Sequence, residues 1–126
     1  MPTSRWKSFA EMQPDREYVV LASYLPLTKF DRTPYMLRHS RTMRAALANA
    51  PGLVGFSMKA KVPAKQYWTL SVWEDDAALA AFVGTSPHID VMALMKPDMG
   101  TTKFERWTIA GTDPLPTWDE ALRRLS

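Results

Sequence analysis

The chain switches between a hydrophobic period of two and one near 3.6, and the switches mark out its elements. From Glu17 to Leu25 the run EYVVLASYL is rich in β-branched and aromatic residues and stops at Pro26, which predicts a strand. Thr33-Pro34 offers an N-cap followed by a first-turn proline. Met36, Leu37, Met43 and Leu47 then recur at helical spacing until Pro51-Gly52. Leu53 to Val62 alternates Val54, Phe56 and Met58 against Gly55, Ser57 and Lys59, a second strand. After the short break Pro63-Ala64-Lys65, the run Tyr67 to Glu74 is a third, so the two form an antiparallel hairpin. Asp75 or Asp76 caps a helix ended by Gly84, Ser86-Pro87 restarts one, and Thr102 to Ala110 is the fourth strand. Thr117-x-x-Glu120 is a capping box that opens a last helix, Trp118 to Leu125.

The order β-α-β-β-α-β plus a C-terminal helix is the split βαβ, ferredoxin-like arrangement: an α+β domain with an antiparallel four-stranded sheet. Residues 1–16 read as a loose leader and 17–126 as the single domain. The final helix is too short to stand alone in water, so it must dock, with Trp118 as its natural anchor. Helices cover one face of such a sheet and leave the other open. Here Trp68, Leu70 and Val72 lie on one side of the third strand and Tyr67, Thr69, Ser71 and Trp73 on the other, so neither face is hydrophilic. An open apolar face of this kind predicts a homodimer with the two sheets facing each other.

Composition narrows the function. At 126 residues with 46% hydrophobic and 23% charged positions, the chain is an ordinary globule rather than a disordered one. Its net charge of +3 is spread along the chain. Only Arg38, Arg41 and Arg44 cluster, and a solvated helix face accounts for them better than a nucleic-acid interface. The absence of cysteine removes disulfides, thiolate nucleophiles and iron–sulfur ligation, and fits a cytoplasmic protein. No segment reaches the roughly 18 apolar residues of a membrane span, and the first fifteen residues resemble neither signal nor anchor. There is no GxGxxG, Walker loop, GxSxG or HExxH, so nucleotide-dependent and hydrolase chemistries lose most of their support.

The stretch Trp68 to His88, WTLSVWEDDAALAAFVGTSPH, has a strand ending in Val-Trp-Glu, an acidic-Ala-Leu helix with an inward Phe, then Ser-Pro-His. It resembles the antibiotic-biosynthesis monooxygenase domain of the dimeric α+β barrel superfamily. Trp107 to Leu125, WTIAGTDPLPTWDEALRRL, is similar to the C-terminal strand, turn and helix of an uncharacterised bacterial family within that superfamily. The resemblance spans about Tyr18 to Leu125 and implies the barrel fold and the dimer. Its members range from cofactor-free oxygenases acting on aromatic polyketides to haem-degrading enzymes, isomerases and proteins without assigned activity, so it bears on chemistry only loosely. The haem-degrading members use an Asn–Trp–His set, and the first strand here contains no Asn, which leaves haem a minor possibility and no cofactor the main expectation.

His88 is the first candidate for chemistry. Behind Ser86-Pro87 it falls in the first turn of a helix, where the macrodipole disfavours imidazolium and leaves a neutral base or ligand; packing beside the turn is the competing explanation. His39, between Arg38 and Arg41, is explained by a surface position, and the two histidines lack metal-ligand spacing. Trp73, Tyr67 and Tyr24 suit a pocket for a flat aromatic ligand, or equally a dimer core. Arg106 shares a face with Phe104 and needs a partner there, a ligand anion or a carboxylate such as Glu17; Arg41 carries the same ambiguity. Two readings result. One is a small monooxygenase-like or isomerase-like enzyme, free of metal and nucleotide, acting on a hydrophobic aromatic molecule with His88 as base and Arg106 as anion stabiliser. The other is a non-catalytic dimer that binds a small molecule or serves structure.

Overall fold

The computed structural model describes residues 6–27, 33–61, 66–84, 88–96 and 99–126. Four long strands form as the alternation predicts: β2 (Glu17–Pro26), β3 (Leu53–Lys61), β4 (Gln66–Trp73) and β5 (Lys103–Ala110). They are joined by a two-residue strand from the leader, β1 (Lys7–Ser8), so the antiparallel sheet has five strands in the order β1-β3-β4-β2-β5. The hairpin connection between β3 and β4, including Pro63, lies outside the described residues. The helices are α1 (Thr33–Leu47), α2 (Asp76–Val83), α3 (His88–Met95) and α4 (Trp118–Leu125). None of the described helices is long and apolar enough to cross a membrane.

Local chemistry sets the element ends. Asp75 caps α2, its carboxylate accepting from the Ala78 N–H at 2.8 Å, and Gly84 closes it by donating to the Ala80 carbonyl at 3.0 Å. Thr117 caps α4 by accepting from the Glu120 N–H at 3.2 Å. Only half of the expected capping box forms, because the Glu120 carboxylate turns along the helix to Arg124 at 3.3 Å. Gly52 turns the chain from α1 into β3 at φ 81°, a left-handed conformation that a side chain disfavours.

One register differs from the simple alternation. A bulge between Leu53 and Gly55 inserts a residue, so Val54 points to the opposite face from Phe56 and Met58. Beside it, Trp6 packs closely against Gly55, where an added Cβ would sit 2.6 Å from the indole. Phe9 stacks on Phe56 with ring centres 5.9 Å apart, so the leader straddles the β3 edge, one aromatic on each face.

Both sheet faces carry a core. On one, Leu47 of α1 and Leu79 of α2 pack with Val19, Leu53, Phe56 and Trp73. On the other, Ala121 and Leu125 of α4 pack with Tyr18, Val20, Leu70 and Val72, with Trp6 and Met12 of the leader alongside. Much of the face reserved by the sequence for a second copy is therefore covered by the chain itself. The anchors of α4 are Ala121 and Leu125; Trp118 is only half-buried, its indole N–H donating to Ser57 Oγ at 3.1 Å.

Candidate functional site

Trp73 ends β4 fully buried on the helix-covered face, its indole N–H donating to Ser71 Oγ at 2.9 Å. Phe82 comes down from α2 with its ring centre 5.3 Å from that of Trp73. His88, the first residue of α3, lies 5.5 Å from Phe82 on the far side. The three rings form a continuous aromatic run from sheet to helices.

The imidazole is fixed by the end of α2. Its Nδ1 is 3.1 Å from the Val83 carbonyl oxygen. A carbonyl can only accept, so Nδ1 carries the proton and Nε2 keeps its lone pair. Partial burial among apolar groups lowers the His88 pKa below its ordinary 6.5, an effect the Val83 hydrogen bond partly offsets. His88 is thus a neutral imidazole at pH 7 with Nε2 as its basic atom. Ser86 and Pro87, expected to cap this helix, lie outside the described residues.

The other candidates do not gather around His88. Arg106 is on the same sheet face but forms an ion pair with Asp76 at the start of α2, and both side chains are more than half exposed. Tyr67 is 5% exposed at the opposite end of β4, about 20 Å of strand from Trp73 at roughly 3.3 Å per residue. It packs against Leu27, and its buried hydroxyl has no hydrogen-bond partner among the described residues. Tyr24 occupies the other sheet face, its ring 5.5 Å from Trp68 and its hydroxyl accepting from Gln66 Nε2 at 2.9 Å. Arg41 is exposed on α1, while His39 is half-buried with Nε2 enclosed and unpartnered among the described residues. Phe82, which the sequence marked only as an inward residue, is the group that connects Trp73 to His88; a single aromatic in an alanine-rich helix gave no sign of that role.

Among the described residues, cavities lie on both sides of the sheet. One of about 400 Å3 lies between the end of α1 and α2, lined by Ala50, Gly52, Glu74, Asp75, Ala78 and Phe82 among others. The second, about 240 Å3, is on the other side of the sheet between Trp6, Ser57, Leu70 and Trp118. Neither is lined by His88 or Arg106, although Phe82 is a shared wall between the larger cavity and the His88 ring. No cluster of three or more His, Cys, Asp or Glu that could hold a metal occurs among the described residues.

By sequence the chain matches no protein-family model and no curated protein. Its fold does match solved structures. An antibiotic-biosynthesis-monooxygenase-like protein from Caulobacter crescentus superposes with a TM-score of 0.64 at 20% identity, covering 74% of this chain and 90% of that one. One from Nitrosomonas europaea gives 0.63 at 16% identity, covering 85% of this chain and 100% of the other. SnoaB, a cofactor-independent oxygenase from Streptomyces nogalater, gives 0.57 at 15% identity, covering 79% and 98%. The chain has the α+β fold of the antibiotic-biosynthesis monooxygenase-like proteins.

Proposed function

We propose that the protein is a small monooxygenase-like enzyme that acts, without metal or nucleotide, on a hydrophobic aromatic molecule bound on the helix side of the sheet. One observation carries the reading: a neutral imidazole, oriented through Nδ1, at the end of an aromatic run that can wall a flat ring. In this reading Nε2 takes the proton of a ring hydroxyl; the anion passes one electron to O2, the radical and superoxide join at a ring carbon, and the peroxide takes the proton back from Nε2 and loses water to leave a quinone. Phe82 forms the wall, with Trp73 packed behind it. Arg106, paired with Asp76, would have to leave that carboxylate to stabilise the anion. The cysteine-free sequence supports a cytoplasmic setting.

A homodimer belongs to the same proposal. Since α4 and the leader cover much of the open face, the contact is placed at the outer edge of β5, unpaired among the described residues, where Phe104 is 53% exposed. Light scattering should then give twice the chain mass of 14.3 kDa. Phe104→Asp should return it to one; a wild-type monomer at micromolar concentration contradicts the dimer.

The alternative, a non-catalytic small-molecule-binding or structural protein, is favoured by the absence of His88 from both cavities. Oxygen uptake over a panel of polycyclic phenols separates the two. The enzyme reading expects stoichiometric O2 consumption with at least one member, reduced on the order of 10²-fold or more in His88→Asn. Binding without uptake in wild type supports the alternative.

A further inference from the structure

We infer that the cross-strand row Lys59–Trp68–Tyr24–Lys103, on the sheet face opposite α1 to α3, is a second site that binds a small planar aromatic anion. The register builds it: Lys59 is opposite Trp68, Trp68 opposite Tyr24, and Tyr24 opposite Lys103. Directly opposed residues of antiparallel strands share a face, so two rings lie side by side between two lysines. At about 4.8 Å per strand the row spans roughly 14 Å between its outer backbones, which flexible lysine chains narrow to the length of a two- or three-ring ligand.

The floor is held in place. The Tyr24 hydroxyl accepts from Gln66, and the Tyr24 and Trp68 ring centres are 5.5 Å apart. α4 supplies a side wall through Trp118, pinned to Ser57, with the Lys59 ammonium 5.6 Å from its ring centre. Tyr24, Trp68 and Lys59 are partly exposed and Lys103 is exposed, which leaves the row open to solvent.

Charge selects the occupant. The row contains no carboxylate, and Lys61 lies in the next row outward, opposite Gln66. The nearest acid on this face of β5 is Glu105, one row inward opposite Ala22; on α4, Glu120 is bound to Arg124 and Asp119 is exposed. A second copy laid face to face about a two-fold axis here would bring lysine toward lysine. A nucleic-acid strand needs a longer basic track than this row supplies. An aromatic carboxylate satisfies both features, its ring on Trp68 and Tyr24 and its charge on an ammonium.

The site is independent of His88 and of the reaction proposed above. Calorimetric titration of the full chain with 2-naphthoate and with neutral 2-naphthamide tests it. Naphthoate should bind, weaken with salt, and bind at least tenfold more tightly than the amide. Lys59→Gln/Lys103→Gln should lose at least tenfold in affinity with Tm unchanged, while His88→Asn binds as wild type. Failure of naphthoate to bind, equal affinity for acid and amide, or an unaffected double-lysine variant overturns the proposal. So does a dimer that Trp68→Lys converts to monomer, since the face would then belong to a second copy.

Discussion

His88 shows how one side chain's surroundings settle its chemistry. Sequence position suggested a neutral imidazole through the helix dipole; the structure adds burial and a carbonyl at Nδ1. The consequence for stability has a definite sign. A histidine whose folded pKa is depressed binds its proton more readily in the unfolded chain, so stability is full above about pH 6.5 and falls as pH drops toward the folded value. Melting curves from pH 8 to 5 should therefore show the wild type losing Tm on acidification more than His88→Asn does. Parallel profiles for the two proteins would mean that the ring is solvated in the folded state. Tyr67 makes the complementary point: strand parity placed it on the face of Trp73, but parity says nothing about distance along the strand.

At the scale of elements, what was legible in the sequence was what local chemistry decides. Asp75, Gly84 and Thr117 mark helix ends because each satisfies a neighbouring backbone group, and those ends fall where the residues say. The order of four strands and their helices followed from periodicity for the same reason. The bulge at Val54 was not legible, since an extra residue leaves the composition of the strand unchanged and shows only in its pairing with β4. β1 was not either: two residues, Lys7 and Ser8, have no period, and they join the sheet because Trp6 and Phe9 find Gly55 and Phe56. The site was legible only in part. His88 and Trp73 could be named, whereas their connection through Phe82 depends on how α2 packs on the sheet. That packing logic also ranks the α4 residues. Leu125 is 6% exposed within the sheet-side core, so Leu125→Ala should cost about 2–4 kcal/mol in chemical denaturation. A change below about 0.5 kcal/mol, the range of exposed surface positions, would show that the helix end is not docked.

For the molecule as a whole, the sheet is the middle of three layers, with α1 to α3 on one side and α4 with Trp6 and Met12 on the other. This arrangement explains how a sheet apolar on both faces stays covered: Tyr18, Val20, Leu70 and Val72 meet Ala121 and Leu125 of the same chain. It also leaves the Lys59–Trp68–Tyr24–Lys103 end open beside α4. The docking of α4 is the central structural claim, and amide hydrogen exchange across it is the direct test. An isolated helix of eight residues does not persist in water, so protection there reports docking rather than propensity. At concentrations low enough to exclude dimers, the amides of Ala121 to Leu125 should exchange at least a hundredfold more slowly than in an unstructured peptide of the same sequence. Exchange at the unstructured rate would show that α4 does not cover the sheet, and would contradict the account.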